Sequence, residues 1–217
     1  MRFIFLLIFV NLFATEEFTI RTVKETELQA ILELDRKVSF EFFKPLFMAG
    51  YSHLSIGQNP DYFLEKDLEA DTKNFAKFLT ENSAYNYLRV AFDNYKNRIV
   101  GLINFHIIDE KQTIEIDLLV IDKNYRGKGV GKKLVIETLF AFENLKYCIV
   151  HPFCLSNEKS LKFYYALGFK NLESADNAIN SHYLVENYKL YYYLRLDISE
   201  LKNSIKRSCL CEDGLLR

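Results

Sequence analysis

The 217-residue chain predicts an α/β fold of the α+β kind: a mixed, mostly antiparallel central sheet flanked by helices. Three observations predict it. Period-two alternation and β-branched enrichment mark strands at 18–23, 85–92, 98–108 and 113–121, and the last three are separated only by polar turns, as in successive hairpins. Helical periodicity then takes over at 129–142 and 157–167. A short apolar run at 147–150 lies between those helices, so the chain makes a crossover after its hairpins. The length suits one domain with a sizeable core.

Taken in order, residues 1–15 form a signal-like hydrophobic segment, with Arg2 followed by a stretch that is apolar from Phe3 to Phe13 except for Asn11. It is too short to span a bilayer. Cleavage after Ala14 would put Leu12 where small residues are preferred, and the next methionine, Met48, already lies inside the domain expected over 16–198. The first strand follows, and Thr26 caps a helix carrying Leu28, Ile31, Leu32 and Leu34. From about 40 to 82 the pattern is irregular, broken by Pro45, Gly50, Gly57 and Pro60, before a helix over roughly 60–79. Asp93-Asn94-Tyr95-Lys96-Asn97 and Asp109-Glu110-Lys111 supply the hairpin turns. Strict alternation over 113–121 puts Ile114, Ile116 and Leu118 on one face and Glu115, Asp117 and Leu119 on the other. The helix at 129–142 buries Val130, Leu134, Val135, Leu139 and Phe140. Gly168 ends the helix at 157–167 as its C′ residue, Phe169 starts another strand, 188–196 is the final one, and 199–217 reads as a polar C-terminal tail.

Composition excludes several classes. With 28 Lys+Arg against 29 Asp+Glu there is no electrostatic basis for nucleic acid or an anionic membrane surface as partner, and no stable membrane insertion is expected. Cys148, Cys154, Cys209 and Cys211 show no C-x-x-C spacing, so no metal is expected, and Cys148 reads as a buried small hydrophobe. His53, His106, His151 and His182 are scattered without a nucleophile motif and read as structural.

The most informative stretch is Tyr125-Arg126-Gly127-Lys128-Gly129-Val130-Gly131-Lys132-Lys133-Leu134, between a strand and a helix. Alternating glycines let backbone N–H groups face an anion, and the helix brings the positive end of its dipole to the same point. A Walker loop is excluded because Arg126 stands where its first glycine belongs and Lys133 offers no hydroxyl. The dinucleotide fingerprint fails too, with Lys132 or Leu134 at its third glycine. Arg126, Lys128, Lys132 and Lys133 are cations at a helix start, where they oppose the dipole unless an anion arrives.

The remaining pattern, R-x-x-G-x-G from Arg126 through Gly129 to Gly131, resembles the acetyl-CoA pyrophosphate loop of the GCN5-related N-acetyltransferase (GNAT) superfamily. Downstream, Asn157-Glu158-Lys159-Ser160-Leu161-Lys162-Phe163-Tyr164-Tyr165-Ala166-Leu167-Gly168-Phe169 resembles that family's second signature. The resemblance runs from about Phe18 to about Leu196 and implies the acyl-CoA N-acyltransferase (GNAT) fold, with acetyl-CoA as co-substrate and an amine acceptor, small molecule or protein, seated beside the irregular segment.

It also implies roles residue by residue. Gly127, Gly129, Val130 and Gly131 would hold the pyrophosphate with Arg126, Lys128 and Lys132, and Asn157 would bond the pantetheine arm or cap its helix. Leu119, Val120 and Ile121 would receive pantetheine amides like an added strand beside a bulge. Glu115 stands where relatives carry a general base, with Asp117 or water as alternatives, and Tyr164 where many carry the proton donor to the CoA sulfur. The expected activity is transfer of acetyl from acetyl-CoA to a primary amine in a ternary complex. The alternative is a non-catalytic CoA-binding or sensor module. Because acetyl-CoA is cytoplasmic, that compartment is expected, with export through residues 1–15 as the alternative.

Overall fold

A computed structural model describes residues 17–48, 66, 69, 72–73, 75–77, 86–108, 112–150, 158–171 and 194–212. Seven strands, β1 (Phe18–Thr22), β2 (Asn86–Asp93), β3 (Arg98–Ile108), β4 (Thr113–Ile121), β5 (Tyr147–Val150), β6 (Lys170–Asn171) and β7 (Leu194–Asp197), form one sheet. Their order is β1-β2-β3-β4-β5-β7-β6. Only β4 and β5 pair in parallel among the described strands, so the sheet is mixed and mostly antiparallel, as the hairpins and the crossover predict.

Helices cover both faces. Against one pack α2 (Val130–Phe140), α3 (Glu158–Ala166) and α4 (Ile198–Glu212), burying Val130, Leu134, Leu139, Leu167 and Leu201 with Ile103, Phe105, Ile114 and Ile116 of the sheet. Against the other packs α1 (Leu28–Met48), through Ile31 and Leu34, with Phe75 completing a smaller cluster over Leu88, Val90, Leu102 and Val120. The β2–β3 turn closes as its composition predicts: Asp93 Oδ1 accepts from Tyr95 N at 2.9 Å and Lys96 N at 2.8 Å, and Asn97 takes φ 51°. Gly168 is the expected C′ residue at φ 93°. Phe169 N donates to Tyr164 O and Gly168 N to Tyr165 O, the paired bonds of a Schellman motif.

Four expectations are corrected. Thr26 lies inside a 3₁₀ turn, Glu25–Glu27, rather than capping. Lys24 is the N-cap instead, and Glu27 at the third position accepts from Lys24 N at 2.9 Å while paired with Arg21, the carboxylate half of a capping box. The first helix continues through Pro45 to Met48, since packing of the preceding turns outweighs the one backbone hydrogen bond a proline removes. The tail expected over 199–217 is mostly helix: Asp197 Oδ1 caps α4 by accepting from Ser199 N and Glu200 N, and Ile198, Leu201 and Ile205 at helical spacing reach the core. Within β4 a bulge breaks the expected alternation. Phe105 faces Ile116 but Asn104 faces Leu118, leaving Asp117 as the extra residue. Leu119 and Ile121 therefore join the face of Ile114 and Ile116, while Leu118 and Val120 turn toward α1.

The signal-like segment 1–15, Asn157, most of the helix expected over 60–79, the start of the strand expected over 188–196, and His53, His151, His182, Cys154 and the Cys209 and Cys211 side chains lie outside what the structure describes.

Candidate functional site

The site is built where β4 leaves β5. The two strands pair from Thr113↔Tyr147 to Ile116↔Val150, and β4 continues five residues further. The bulge at Asp117 falls at the point of parting, bending β4 away. Beyond it, Leu118 to Ile121 bond to β3 on one edge, and among the described residues no strand pairs with the other. Backbone groups on that edge can receive an extended, amide-bearing chain.

That edge leads directly into the glycine turn. Asp122 opens a 3₁₀ turn, Lys123–Tyr125, by accepting from Asn124 N at 2.9 Å, and the chain then passes through Gly127 at φ 76° and Gly129 at φ 80°. An L-residue is strained in that region, and a Cβ at either position would meet nothing within 4 Å. The space above this backbone is open. Gly129 caps α2 through its carbonyl, which accepts from Lys133 N at 2.9 Å, so the amides of Val130, Gly131 and Lys132 open toward the turn as first-turn donors. Gly131 differs from its neighbours: a Cβ there would lie 3.4 Å from Phe163 and 3.5 Å from Ile121. Its lack of a side chain lets α3 approach β4.

A polar hub holds the turn. Tyr125, 2% exposed, donates its hydroxyl to Asp93 Oδ2 at 2.7 Å, and Lys96, Arg98 and Lys128 lie 5.0–5.3 Å from its ring centroid. The Tyr125 hydroxyl, helped by the backbone bonds from Lys96 and Tyr95 against the burial, holds the Asp93 carboxyl below its usual range. Burial works against the Asp122 carboxylate, yet Asn124 N and Lys37, at 3.0 Å, hold it low as well. Tyr125→Phe removes the donor to a buried carboxylate and is expected to cost about 1–3 kcal/mol in chemical denaturation near neutral pH. The depressed carboxyl stabilises the fold above its ordinary pKa and loses that contribution as pH falls through its folded value, so the gap between wild type and variant should close in acid.

At the point of parting, Glu115 and His106 face each other across β3 and β4 on the α1 side of the sheet. His106 Nδ1 is 2.9 Å from Asp117 Oδ2, and its Nε2 is 3.7 Å from Glu115 Oε2. Burial raises the Glu115 carboxyl above its ordinary value, with His106 opposing and Asp117 adding. Asn104, two residues along β3, is 9% exposed, and its carboxamide oxygen has no hydrogen-bond partner among the described residues. On the other side, α3 brings Tyr164 into the core between the rings of Phe163 and Phe169, at 5.1 and 5.3 Å. Burial pushes the Tyr164 phenol up, with Cys148 of β5 adding, and burial pushes up the Cys148 thiol, with Glu115 adding. Cys148 thus lies electrostatically between Glu115 and Tyr164, which stand on opposite faces of the sheet.

The structure therefore gathers Leu119, Val120, Ile121, Gly127, Gly129, Val130 and Gly131 along one path, with Glu115 just before its inner end on β4 and Tyr164 buried on α3 near Cys148 of β5. The cations are less uniform. Arg126 donates its Nε to Ile121 O at 2.9 Å and lies 3.5 Å from Glu41, Lys133 pairs with Glu137 at 2.8 Å, and Lys128 leans on Tyr125, while Lys132 is exposed. Arg126 is thereby a brace between β4 and its turn as much as a cation for a ligand. Two residues escaped the sequence reading. Tyr125 binds Asp93 from 32 positions away, which no local pattern signals. His106 had a signal: closing the hairpin at the turn after Ile108 sets it opposite Glu115.

Known proteins are similar to this chain in family and in fold. The model of the Acetyltransferase (GNAT) family matches residues 51–169, more than half the chain. The N-acetylaspartate synthetase of Xenopus tropicalis is 31% identical over 104 residues, 46% of this chain and 38% of that protein, so the chain matches well under half of that relative's length. Among solved structures, the PaiA N-acetyltransferase of Thermoplasma acidophilum in complex with coenzyme A superposes with a TM-score of 0.61 at 15% identity, covering 83% of this chain and 98% of that one. The spermidine N-acetyltransferase of Vibrio cholerae in complex with CoA and spermine does so with 0.57 at 17%, covering 86% and 99%. At such identities these structures establish the fold.

Proposed function

The chain belongs to the Acetyltransferase (GNAT) family and is an acyltransferase, and from that premise we propose that it transfers the acetyl group of acetyl-CoA to the nitrogen of a primary amine by direct attack in a ternary complex. The observation that carries the reading is the parting of β4 from β5 at Ile116 and Val150, which leaves a bonding edge running into two open, left-handed glycines at a helix N-terminus. That path fits an amide-bearing arm ending in a pyrophosphate, and Leu119, Val120, Ile121 and the 127–132 turn would hold it. Acetyl-CoA supplies an activated thioester. One similar protein is a spermidine N-acetyltransferase in complex with CoA and spermine, and another is named an N-acetylaspartate synthetase.

Each chemical need has a group at the vertex. An alkylammonium with pKa near ~10 must lose a proton before it attacks, and the Glu115 carboxylate, raised by burial, is the base. A backbone N–H near Leu119 or Val120 meets the oxyanion. Tyr164 Oη holds the proton the departing sulfur takes, and burial, by raising its pKa, keeps it protonated throughout the working range.

The test is free-thiol release from acetyl-CoA with a panel of polyamines, lysine-containing peptides, peptide N-termini and acidic amino acids, with product masses confirmed. Amine-dependent release is the expected result, and Tyr164→Phe should lower kcat by roughly ten- to a hundredfold while leaving acetyl-CoA affinity unchanged. Absence of acetylated product from every amine class would sink the reading.

A further inference from the structure

Resting on the reading of Glu115 as the base, we propose that His106 is its positioning residue: clamped by Asp117, the imidazole fixes the charge and orientation of the Glu115 carboxylate at the vertex. The geometry points to this in three ways. His106 Nδ1 lies 2.9 and 3.1 Å from the two oxygens of Asp117, a hydrogen bond, while Nε2 faces Glu115 Oε2 at 3.7 Å. Both ring nitrogens thus face carboxylates, and only the imidazolium has a proton on each. The second observation is the bulge. Asp117 is the extra residue of β4, and it clamps the same ring that Glu115 faces in direct register. Third, His106 and Glu115 are part-buried, at 33% and 22% relative side-chain exposure, where their ion pair is screened less than at the open surface, while Asp117 clamps the ring from the exposed side.

The charged and titratable groups around them agree. On β5, beside Glu115, Ile149 is the register partner and Cys148 is the adjacent thiol. One strand further, on β7, Arg195 stacks its guanidinium on Tyr147 at 5.2 Å. The His106 imidazole is raised by its bond to Asp117, with burial opposing and Glu115 adding, and it in turn opposes the effect of burial on Glu115. The imidazolium that both contacts favour thus sits against Glu115, and opposite that cation the carboxylate is favoured in the ionised form that removes a proton.

The experiment compares His106→Gln, Asp117→Asn, Glu115→Gln and the His106→Gln/Glu115→Gln double variant in kcat, amine KM, pH profile and acetyl-CoA affinity. His106→Gln should lower kcat roughly ten- to a hundredfold, the scale of one charge-assisted hydrogen bond, with acetyl-CoA affinity unchanged as proof of folding. Its acid limb should move to higher pH, because Glu115 loses the cation that favours its anion. Asp117→Asn should likewise lower kcat by loosening the imidazole, but it also removes a like charge that raises Glu115, so the sign of the limb shift is read from His106→Gln; the double variant should be no worse than Glu115→Gln alone. Independently of turnover, imidazole nitrogen NMR should show His106 titrating at lower pH in Asp117→Asn. An unshifted acid limb, or full additivity in the double variant while Glu115→Gln is itself impaired, overturns the positioning role alone. An unimpaired Glu115→Gln overturns the base reading and the proposal with it.

Discussion

Replacing Gly129 by valine should weaken acetyl-CoA binding by roughly a hundredfold while leaving the protein folded. Two physical facts separate binding from folding at this position. A Cβ on Gly129 would meet no protein atom within 4 Å, so the substitution crowds only what approaches from outside. Its φ of 80° costs an L-residue on the order of 1–2 kcal/mol, more for a β-branched one, a loss a domain can survive. What is lost is close approach of an anion to the first-turn amides of α2, and two charge-assisted bonds at about 1.5–3 kcal/mol each account for two decades or more of affinity. Calorimetric titration with acetyl-CoA, beside thermal melting, decides the matter. Normal affinity in a folded Gly129→Val protein would remove the pyrophosphate assignment. Gly131 is the poorer probe, because a side chain there presses on Phe163 and Ile121 and would disturb the seat of α3 whether or not a ligand binds.

Glu115→Gln should cost more still, on the order of 10²–10⁴ in kcat/KM, the usual contribution of a positioned general base. The amide keeps the shape of the side chain but cannot take a proton, so acetyl-CoA affinity should hold while turnover falls. The pH profile carries the sign. Burial raises the Glu115 carboxyl, so kcat/KM in the wild type should rise with pH as that group deprotonates, with its acid limb above the ordinary range for a glutamate. In the glutamine variant that limb should vanish. A variant retaining activity within about threefold, limb included, assigns proton removal to water or to Asp117 instead.

Much of this site is legible in one dimension. The glycine turn, the second signature block and the strand that precedes them are local patterns whose geometry follows from short-range sterics: glycine where φ is positive, polar residues in tight turns, apolar residues at period two or 3.6. Gly168 could be assigned as a helix terminator for the same reason. Where local rules compete with packing they mislead. Pro45 reads as a break, yet the helix runs on through it, and residues 199–217 read as a polar tail until Ile198, Leu201 and Ile205 are seen to share a face. Strict alternation in 113–121 assigns Leu118 and Leu119 to the wrong faces, because a single extra residue in a ladder is set by the partner strand.

By itself, then, the sequence determined the fold class and the path of the glycine turn into its helix, and its resemblance proposed Glu115 and Tyr164 as residues to test. Only the tertiary structure decided what surrounds them. Tyr164 came to rest in the core beside Phe163 and Phe169, Glu115 acquired His106 and Asp117 as neighbours, and Tyr125 anchored the glycine turn to Asp93. The physical reason is range. Backbone conformation is set by sterics within a few residues, whereas burial and the fields of neighbouring charges come from groups brought together by folding, and those fields give a carboxylate its working pKa.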